Sequence, residues 1–98
     1  MTPTYVPSEE AAADVDEIYE FGEYKFGNTQ AIKYLIGLEE YFEKLGRNPD
    51  IGRERSDIKI GLFSLPYISH IIFYRKLEDK LRIVRILYGG RDLIRFLE

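Results

Sequence analysis

The side chains in this sequence that could take part in acid–base chemistry are few. His70 is the single histidine, and a lone imidazole needs a partner close to it to act as an acid or a base. The strand pairing predicted below places His70 opposite Tyr88, but a tyrosine with a pKa of about 10 is a poor base. A simpler interpretation is that His70 starts a strand and hydrogen-bonds a neighbouring loop. No Ser-His-Asp triad can be nominated, because the sequence shows no acidic partner for His70.

Metal and cofactor chemistry is not predicted either. The chain has no cysteine, which excludes disulfides, thiolate catalysis and most zinc sites. The acidic residues of the first predicted helix lie mainly on its outer face, where solvation is a simpler interpretation than metal binding. The glycines match no phosphate-cradling loop. We therefore expect no metal and no cofactor.

The segment around His70 predicts an antiparallel hairpin. Two runs rich in β-branched and aromatic residues, 70–77 and 81–88, flank the short charged loop 78–80. One face of the hairpin is wholly apolar and needs a cover, with Tyr74 opposite Val84 and Ile72 opposite Ile86. The other face is apolar but interrupted by two arginines: it pairs Ile71, Phe73 and Arg75 with Leu87, Arg85 and Ile83. We expect this second face to be covered only part of the time, which makes it a candidate binding surface.

Two amphipathic helices are predicted upstream of the hairpin. Each runs from a capping residue to a glycine, the first from Ser8 to Gly27 and the second from Thr29 to Gly46. Apolar residues recur at helical spacing in both segments. Because the connection between them is short, the helices should form an antiparallel pair.

The remaining segments complete an α+β fold. We predict a strand over 2–6, a loop or a single helical turn over 47–60, a short strand over 61–66 and a tail over 91–98 that is a short helix or an extended arm. The element order is β-α-α-β-β-β plus the C-terminal tail. In this fold an N-terminal strand precedes an antiparallel two-helix hairpin that packs on one face of a small antiparallel sheet.

Length and composition favour one domain that spans residues 1–98. Ninety-eight residues, of which 45% are hydrophobic, are enough for a single core. No apolar run approaches the roughly 20 residues that span a bilayer, and the N-terminus has no signal-peptide pattern. We therefore expect a cytoplasmic protein with no membrane partner.

Charge is distributed unevenly along the chain. Residues 1–46 contain ten acids and three bases, whereas residues 47–98 contain seven acids and eleven bases. Two interpretations remain open: solvated faces of opposite sign, or a basic half that binds an acidic partner or a phosphate backbone. Arg53, Arg55 and Lys59 lie in the predicted loop, but no interleaved aromatic residues indicate a stacking platform for nucleic acid.

Five short motifs follow one another along nearly the whole chain. They are Ala11-x-Ala13-Asp14-Val15-x-x-Ile18, Asn48-Pro49-x-Ile51-Gly52, Gly61-Leu62-Phe63-x-x-Pro66, Ser69-His70-Ile71-Ile72-Phe73-Tyr74-Arg75 and Val84-Arg85-Ile86-Leu87-Tyr88-Gly89-x-Arg91-Asp92. In this order they resemble the ParE/RelE superfamily of bacterial type II toxin–antitoxin toxins, and the ParE branch most closely. Each motif alone is a weak signal, and the ordered set is fairly specific. The resemblance implies a RelE/ParE-like fold.

The resemblance also implies a partner and a choice of targets. The partner is a ParD-like antitoxin encoded beside the toxin, whose C-terminal segment wraps the toxin while its N-terminal part binds DNA as a dimer. The toxin then meets DNA only indirectly, through the antitoxin, in a hetero-oligomer. ParE-type toxins are described as inhibiting DNA gyrase, whereas the RelE branch cleaves mRNA on the ribosome. A third possibility is a family member that has lost toxicity and only binds its antitoxin.

The residues at the ribonuclease positions favour inhibition by binding. RNA cleavage through a 2′-hydroxyl needs a base, an acid and cations that stabilise the phosphorane. By the motif alignment, three basic positions of the ribonuclease branch are Leu62, Ser64 and Ile71 here. Only Arg91 matches a basic catalytic position, and Tyr88 stands where the ParE pattern usually has a histidine. We therefore assign no catalytic residue, with His70, Tyr88 and Arg91 as weak candidates.

Two binding surfaces are predicted from the hairpin and the tail. The predicted antitoxin-binding residues share the second face of the sheet: Leu62, Ile71, Phe73, Arg75, Ile83, Arg85 and Leu87. The predicted target-binding residues follow the last strand: Tyr88, Arg91, Asp92, Arg95 and Phe96. Apolar area would supply the antitoxin contact, and the arginines would pair with acidic residues of the antitoxin.

Overall fold

A computed structural model describes residues 4–90 and 92–97, within which there are three helices and five strands. The helices are α1 (Glu9–Phe26), α2 (Asn28–Arg47) and α3 (Leu93–Leu97). The strands are β1 (Tyr5–Pro7), β2 (Arg53–Glu54), β3 (Leu62–Tyr67), β4 (His70–Lys76) and β5 (Leu81–Tyr88). The predicted α+β class is confirmed. Thr2 and Pro3 of the predicted first strand lie outside the described residues.

The two long helices form the predicted antiparallel pair, with one difference at the start of α2. Ser8 caps α1, and its side-chain oxygen accepts a hydrogen bond from the backbone N–H of Ala11 at 3.0 Å. Gly27 separates the helices with a φ of +90°, a conformation that costs a glycine little. The cap predicted at Thr29 is therefore wrong, because the chain turns within the single residue Gly27 and α2 begins at Asn28. None of the helices in the described part of the chain is long and apolar enough to cross a membrane.

The strands form one mixed sheet in the order β1-β5-β4-β3-β2. β3, β4 and β5 pair in antiparallel fashion as predicted. β1 adds to the edge of β5 in parallel, with Tyr5 opposite Leu81, so the sheet is not purely antiparallel. β2 extends the other edge within a segment that was predicted to be a loop or a single helical turn.

A β-bulge changes which residues of β5 face the helices. Pairing follows the prediction where Ile72 lies opposite Ile86 and Phe73 opposite Arg85. The register then shifts, and Tyr74 lies opposite Ile83 instead of Val84. Because the bulge places one extra residue in β5 and side chains alternate between faces, Ile83 packs on the helix side. Its predicted place on the second face, with the antitoxin-binding residues, is therefore wrong.

The two faces of the sheet carry separate hydrophobic clusters. The helix-side core packs the sheet against α1 and α2 and includes Ala11, Leu38, Phe42, Leu45, Tyr67, Ile72, Tyr74, Leu81, Ile83 and Ile86. The second cluster, called the outer cluster below, consists of Leu62, Phe73, Leu87 and Leu97, with Ile58, Ile71, Val84 and Leu93 packed around them. The sheet therefore has helices on both faces, two long ones on the first and the short α3 on the second.

Candidate functional site

The outer cluster lies on the face that the sequence predicted to be open. α3 places Leu93 and Leu97 against it, and Leu97 is itself only 6% exposed. Three strand residues of this face are consequently buried, with exposed fractions of at most 1%: Leu62, Phe73 and Leu87. The prediction of an open face is therefore wrong. The face is covered because the tail folds into a helix whose apolar side chains pack back onto the sheet.

Arg85 at the margin of this face is held by Asp14 of α1. The Nε and Nη2 groups of Arg85 donate to the two carboxylate oxygens of Asp14 at 2.8 and 2.9 Å, a bidentate arrangement. This hydrogen bonding raises the pKa of Arg85 above its ordinary value. The backbone N–H of Ile86 also donates to Asp14, at 3.0 Å. Asp14 is 6% exposed, so its predicted place on the solvated face of the helix is wrong.

Two further arginines near the outer cluster donate hydrogen bonds to oxygen atoms of the protein. Arg75 donates through Nη1 to the carbonyl oxygen of Ile60 at 2.9 Å. Arg55 donates to the carboxylate of Asp57 at 3.2 Å and to the hydroxyl of Ser64 at 3.4 Å, and this pairing holds the pKa of Asp57 below its usual value. The guanidinium of Arg55 also lies 5.9 Å from the centre of the Phe73 ring.

The position of Arg55 could not be inferred from sequence. It sits in a turn-rich segment, and only the pairing of β2 with β3 brings that segment beside Ser64. Ser64 is one of the residues that replace a cation of the ribonuclease pattern, and it is 4% exposed. A cation thus reaches this face from the loop, although the strand position is neutral.

His70 lies on the opposite, helix-side face, at the end of the sheet near α2. Its Nδ1 atom is 2.6 Å from the hydroxyl of Tyr34, and its ring centre is 6.1 Å from that of Tyr88. The predicted pairing of His70 with Tyr88 is confirmed. Burial raises the pKa of the Tyr34 hydroxyl above its ordinary value. Among residues 4–90 and 92–97, no three histidine or acidic side chains are grouped so that they could hold a metal ion.

Comparison with known proteins identifies the family. Residues 5–93 match the sequence model of the family described as "ParE toxin of type II toxin-antitoxin system, parDE". The chain belongs to the ParE toxin family. Toxin ParE1 of Mycobacterium tuberculosis (strain H37Rv) is 34% identical over 98 residues, which cover 99% of this chain and 100% of that toxin. Toxin ParE1 of Caulobacter vibrioides is 30% identical over 88 residues, which cover 90% of this chain and 91% of that toxin.

A solved structure shares the fold of this ParE family member. A chain from the chromosomal ParDE TA system of P. aeruginosa superposes with a TM-score of 0.76 and is 23% identical. The superposition covers 87% of this chain and 94% of that one. The RelE/ParE-like fold expected from the motifs is therefore confirmed.

In this ParE toxin the described residues among those predicted to bind the target do not form one surface. Tyr88 is 53% exposed and lies beside His70 on the helix-side face. Phe96 belongs to α3 on the other face, where its carbonyl oxygen lies 3.4 Å from Arg85. Asp92 and Arg95 are exposed, and Arg91 lies outside the described residues. Side chains at neighbouring strand positions point to opposite faces of the sheet. Leu87 therefore points toward α3, in the outer cluster, and Tyr88 points to the helix-side face.

Proposed function

We propose that this toxin acts by binding DNA gyrase and that a ParD-like antitoxin neutralises it. The observation that carries this proposal is the chemistry of the outer face. Leu62 and Ile71 stand where the ribonuclease branch has cations, and the nearby Arg75 and Arg85 donate to protein oxygens. A face of this kind offers apolar area for a protein partner and few cations for a scissile phosphate.

The energetics of RNA cleavage support the same choice. Stabilisation of the phosphorane requires positive charge aimed at the reacting phosphate, and loss of one such donor costs about 3–4 kcal/mol of barrier. Three donors of the ribonuclease pattern are replaced here by Leu62, Ser64 and Ile71. Arg55 approaches Ser64, but its guanidinium also pairs with Asp57. We therefore favour a binding inhibitor over an endoribonuclease.

The antitoxin would bind the outer cluster in place of α3. The cover that α3 provides is small, because Leu97 is the one buried residue among the five of this helix. An antitoxin segment with apolar side chains would take the positions of Leu93 and Leu97. Acidic residues beside them would meet the arginines that surround the cluster. Both proposed partners are cytoplasmic, so we place the site of action there.

A parallel pair of assays tests this function. Purified toxin is added to a gyrase supercoiling reaction and, separately, to a translating extract in which mRNA cleavage is followed. The proposal expects loss of supercoiling, intact messages, and recovery of supercoiling when the antitoxin encoded beside the toxin is added. Cleavage of ribosome-bound mRNA would instead identify an endoribonuclease. Normal growth on controlled expression without antitoxin would identify a non-toxic family member.

A further inference from the structure

The turn between β3 and β4 holds an isoleucine in a strained backbone conformation. Tyr67 pairs with His70, so the turn consists of only Ile68 and Ser69. Ile68 has a φ of +51°, and within the described part of the chain it is the only residue other than glycine with a positive φ. A positive φ is a genuine outlier for a β-branched residue, because its Cβ approaches the backbone too closely. Two-residue hairpin turns normally place glycine, asparagine or aspartate at such a position.

The fold itself gives no reason for an isoleucine at this position. The backbone N–H of Gly89 donates to the carbonyl oxygen of Ser69 at 3.0 Å, and the hydroxyl of Tyr34 donates to the carbonyl oxygen of Tyr67 at 3.3 Å. These hydrogen bonds hold the turn, and a glycine at position 68 would fit it without strain. Ile68 is 75% exposed and belongs to neither hydrophobic cluster, so packing does not repay the strain. Strain of this kind is typical of functional positions.

The two segments that form this end of the sheet carry no full charge. Residues 63–74 and 86–90 contain no aspartate, glutamate, lysine or arginine, although these four types make up 32% of the chain. The exposed residues of the two segments, called the sheet tip below, are Pro66, Ile68, Ser69, Tyr88, Gly89 and Gly90. The centres of protein–protein interfaces are depleted of charge, whereas nucleic acid is bound through cations. The sheet tip therefore suits a protein surface and has no cation for a phosphate backbone.

The lack of charge also separates the sheet tip from the outer cluster. Arg75 and Arg85 lie beside the outer cluster, where acidic residues of the antitoxin would meet them. Neither Ile68 nor Tyr88 belongs to that cluster. An acidic antitoxin segment would gain no ion pair with the residues of the sheet tip, so this surface suits a different protein partner.

We infer that the sheet tip is the contact surface for DNA gyrase, with Ile68 as the central apolar anchor and Tyr88 beside it. This inference rests on the proposed function, for which it names the target-binding site. The partner is the gyrase protein and not its DNA, and it offers an uncharged, apolar pocket that closes over Ile68 and excludes water. The contact made by the exposed side chain in the complex offsets the strain that its backbone causes in the free toxin.

The test compares Ile68→Gly with the matched variant Ile60→Gly in the full-length toxin. Ile60 is 88% exposed and its φ is not positive, so the same side chain is removed from a strained and from an ordinary position. In a gyrase supercoiling reaction, Ile68→Gly should raise the toxin concentration for half-inhibition by about tenfold or more, and Ile60→Gly by less than about twofold. Ile68→Val keeps an apolar side chain and loses one methylene, so it should stay within about fourfold of the wild type.

Two further measurements separate a lost contact from a damaged fold. In thermal unfolding, the midpoint of Ile68→Gly should lie about 4 °C or more above that of Ile60→Gly, because only the first substitution relieves a positive φ. Loss of inhibition by the more stable variant then cannot result from unfolding. The Kd for the antitoxin encoded beside the toxin, measured by isothermal titration calorimetry, should change by less than about twofold in both variants.

Each contrary result has a distinct meaning. Undiminished inhibition by Ile68→Gly, or an equal loss in Ile60→Gly, would show that the sheet tip is not the gyrase contact. A lower midpoint for Ile68→Gly than for Ile60→Gly would remove the strain on which the inference depends. Weaker antitoxin binding by Ile68→Gly would assign the sheet tip to the antitoxin. In these cases the wild type still inhibits gyrase and the proposed function stands, whereas a wild type that does not inhibit supercoiling would overturn both.

Discussion

Replacing Leu97 by alanine tests whether α3 and the antitoxin compete for the outer cluster. Leu97 is 6% exposed and packs with Leu62, Phe73 and Leu87. Burial of a leucine side chain contributes about 1.5–3 kcal/mol, and a five-residue helix has little stability of its own. The substitution should therefore weaken the docking of α3 and leave the helix-side core intact.

The expected change in antitoxin affinity follows from the fraction of toxin molecules in which α3 does not cover the outer cluster. A partner that binds only the uncovered face has an apparent Kd equal to its intrinsic Kd divided by the uncovered fraction. Weakening the cover by about 1.5–3 kcal/mol raises that fraction by roughly 10- to 150-fold as long as α3 remains mostly docked. We expect Leu97→Ala to tighten antitoxin binding by at least about tenfold in isothermal titration calorimetry.

Ile94 provides the matched control on the same helix. It is 53% exposed, so Ile94→Ala removes apolar atoms from α3 without removing a buried contact, and it should change the affinity by less than about twofold. If Leu97→Ala leaves the affinity unchanged or weakens it, the antitoxin does not bind where α3 lies. Equal tightening by both variants would mean that helix propensity, and not the contact with the outer cluster, controls binding.

Three further predictions concern stability and toxicity. Asp14→Ala should lower the free energy of unfolding by roughly 3–5 kcal/mol, because it removes the buried bidentate partner of Arg85 and leaves that guanidinium only its exposed contact with Glu10. Glu10→Ala, which removes this exposed contact at 3.4 Å, should change the free energy of unfolding by less than about 1 kcal/mol in urea denaturation. Equal losses would contradict the role given to Asp14. Burial raises the pKa of Tyr74 above its ordinary value, because the folded protein favours the protonated hydroxyl. The stability that this preference contributes is present below about pH 10 and is lost as the pH rises through the folded-state pKa. Tyr74→Phe should therefore reduce the loss of thermal stability at alkaline pH, and an unaltered pH profile would refute this. Deleting residues 91–98 should abolish toxicity in a controlled expression test while antitoxin binding persists, and a fully toxic truncation would rule out a role for the tail.

Local patterns predicted much of the fold from sequence. The cap at Ser8, the break at Gly27 and the charged loop between β4 and β5 are encoded by residues close to one another in the chain. The structure confirms the two helices and the first pairings of the hairpin that these patterns predicted. The bulge that moves Ile83 was not predictable in this way, because one extra residue in a β5 run of mostly apolar side chains leaves the alternation of the sequence nearly unchanged.

Contacts between distant residues limited what could be predicted about the candidate site. Asp14 and Arg85 are 71 positions apart, and no local pattern marks a helix carboxylate that turns toward a strand. The tail 91–98 was compatible with a helix or an arm, and only tertiary packing of Leu97 decides that it covers the outer cluster. The sequence therefore placed Leu62, Phe73 and Leu87 together on one face of the sheet, but it did not predict the helix that covers them.

Methyl NMR of the toxin–antitoxin complex tests the central claim most directly. The free toxin should show nuclear Overhauser contacts between Leu97 and the buried methyl groups of Leu62 and Leu87, which share the outer cluster. In the complex, the antitoxin is predicted to replace Leu97 in those contacts. If Leu62 and Leu87 keep their contacts to Leu97 and gain none to the antitoxin, the outer cluster is not the antitoxin site.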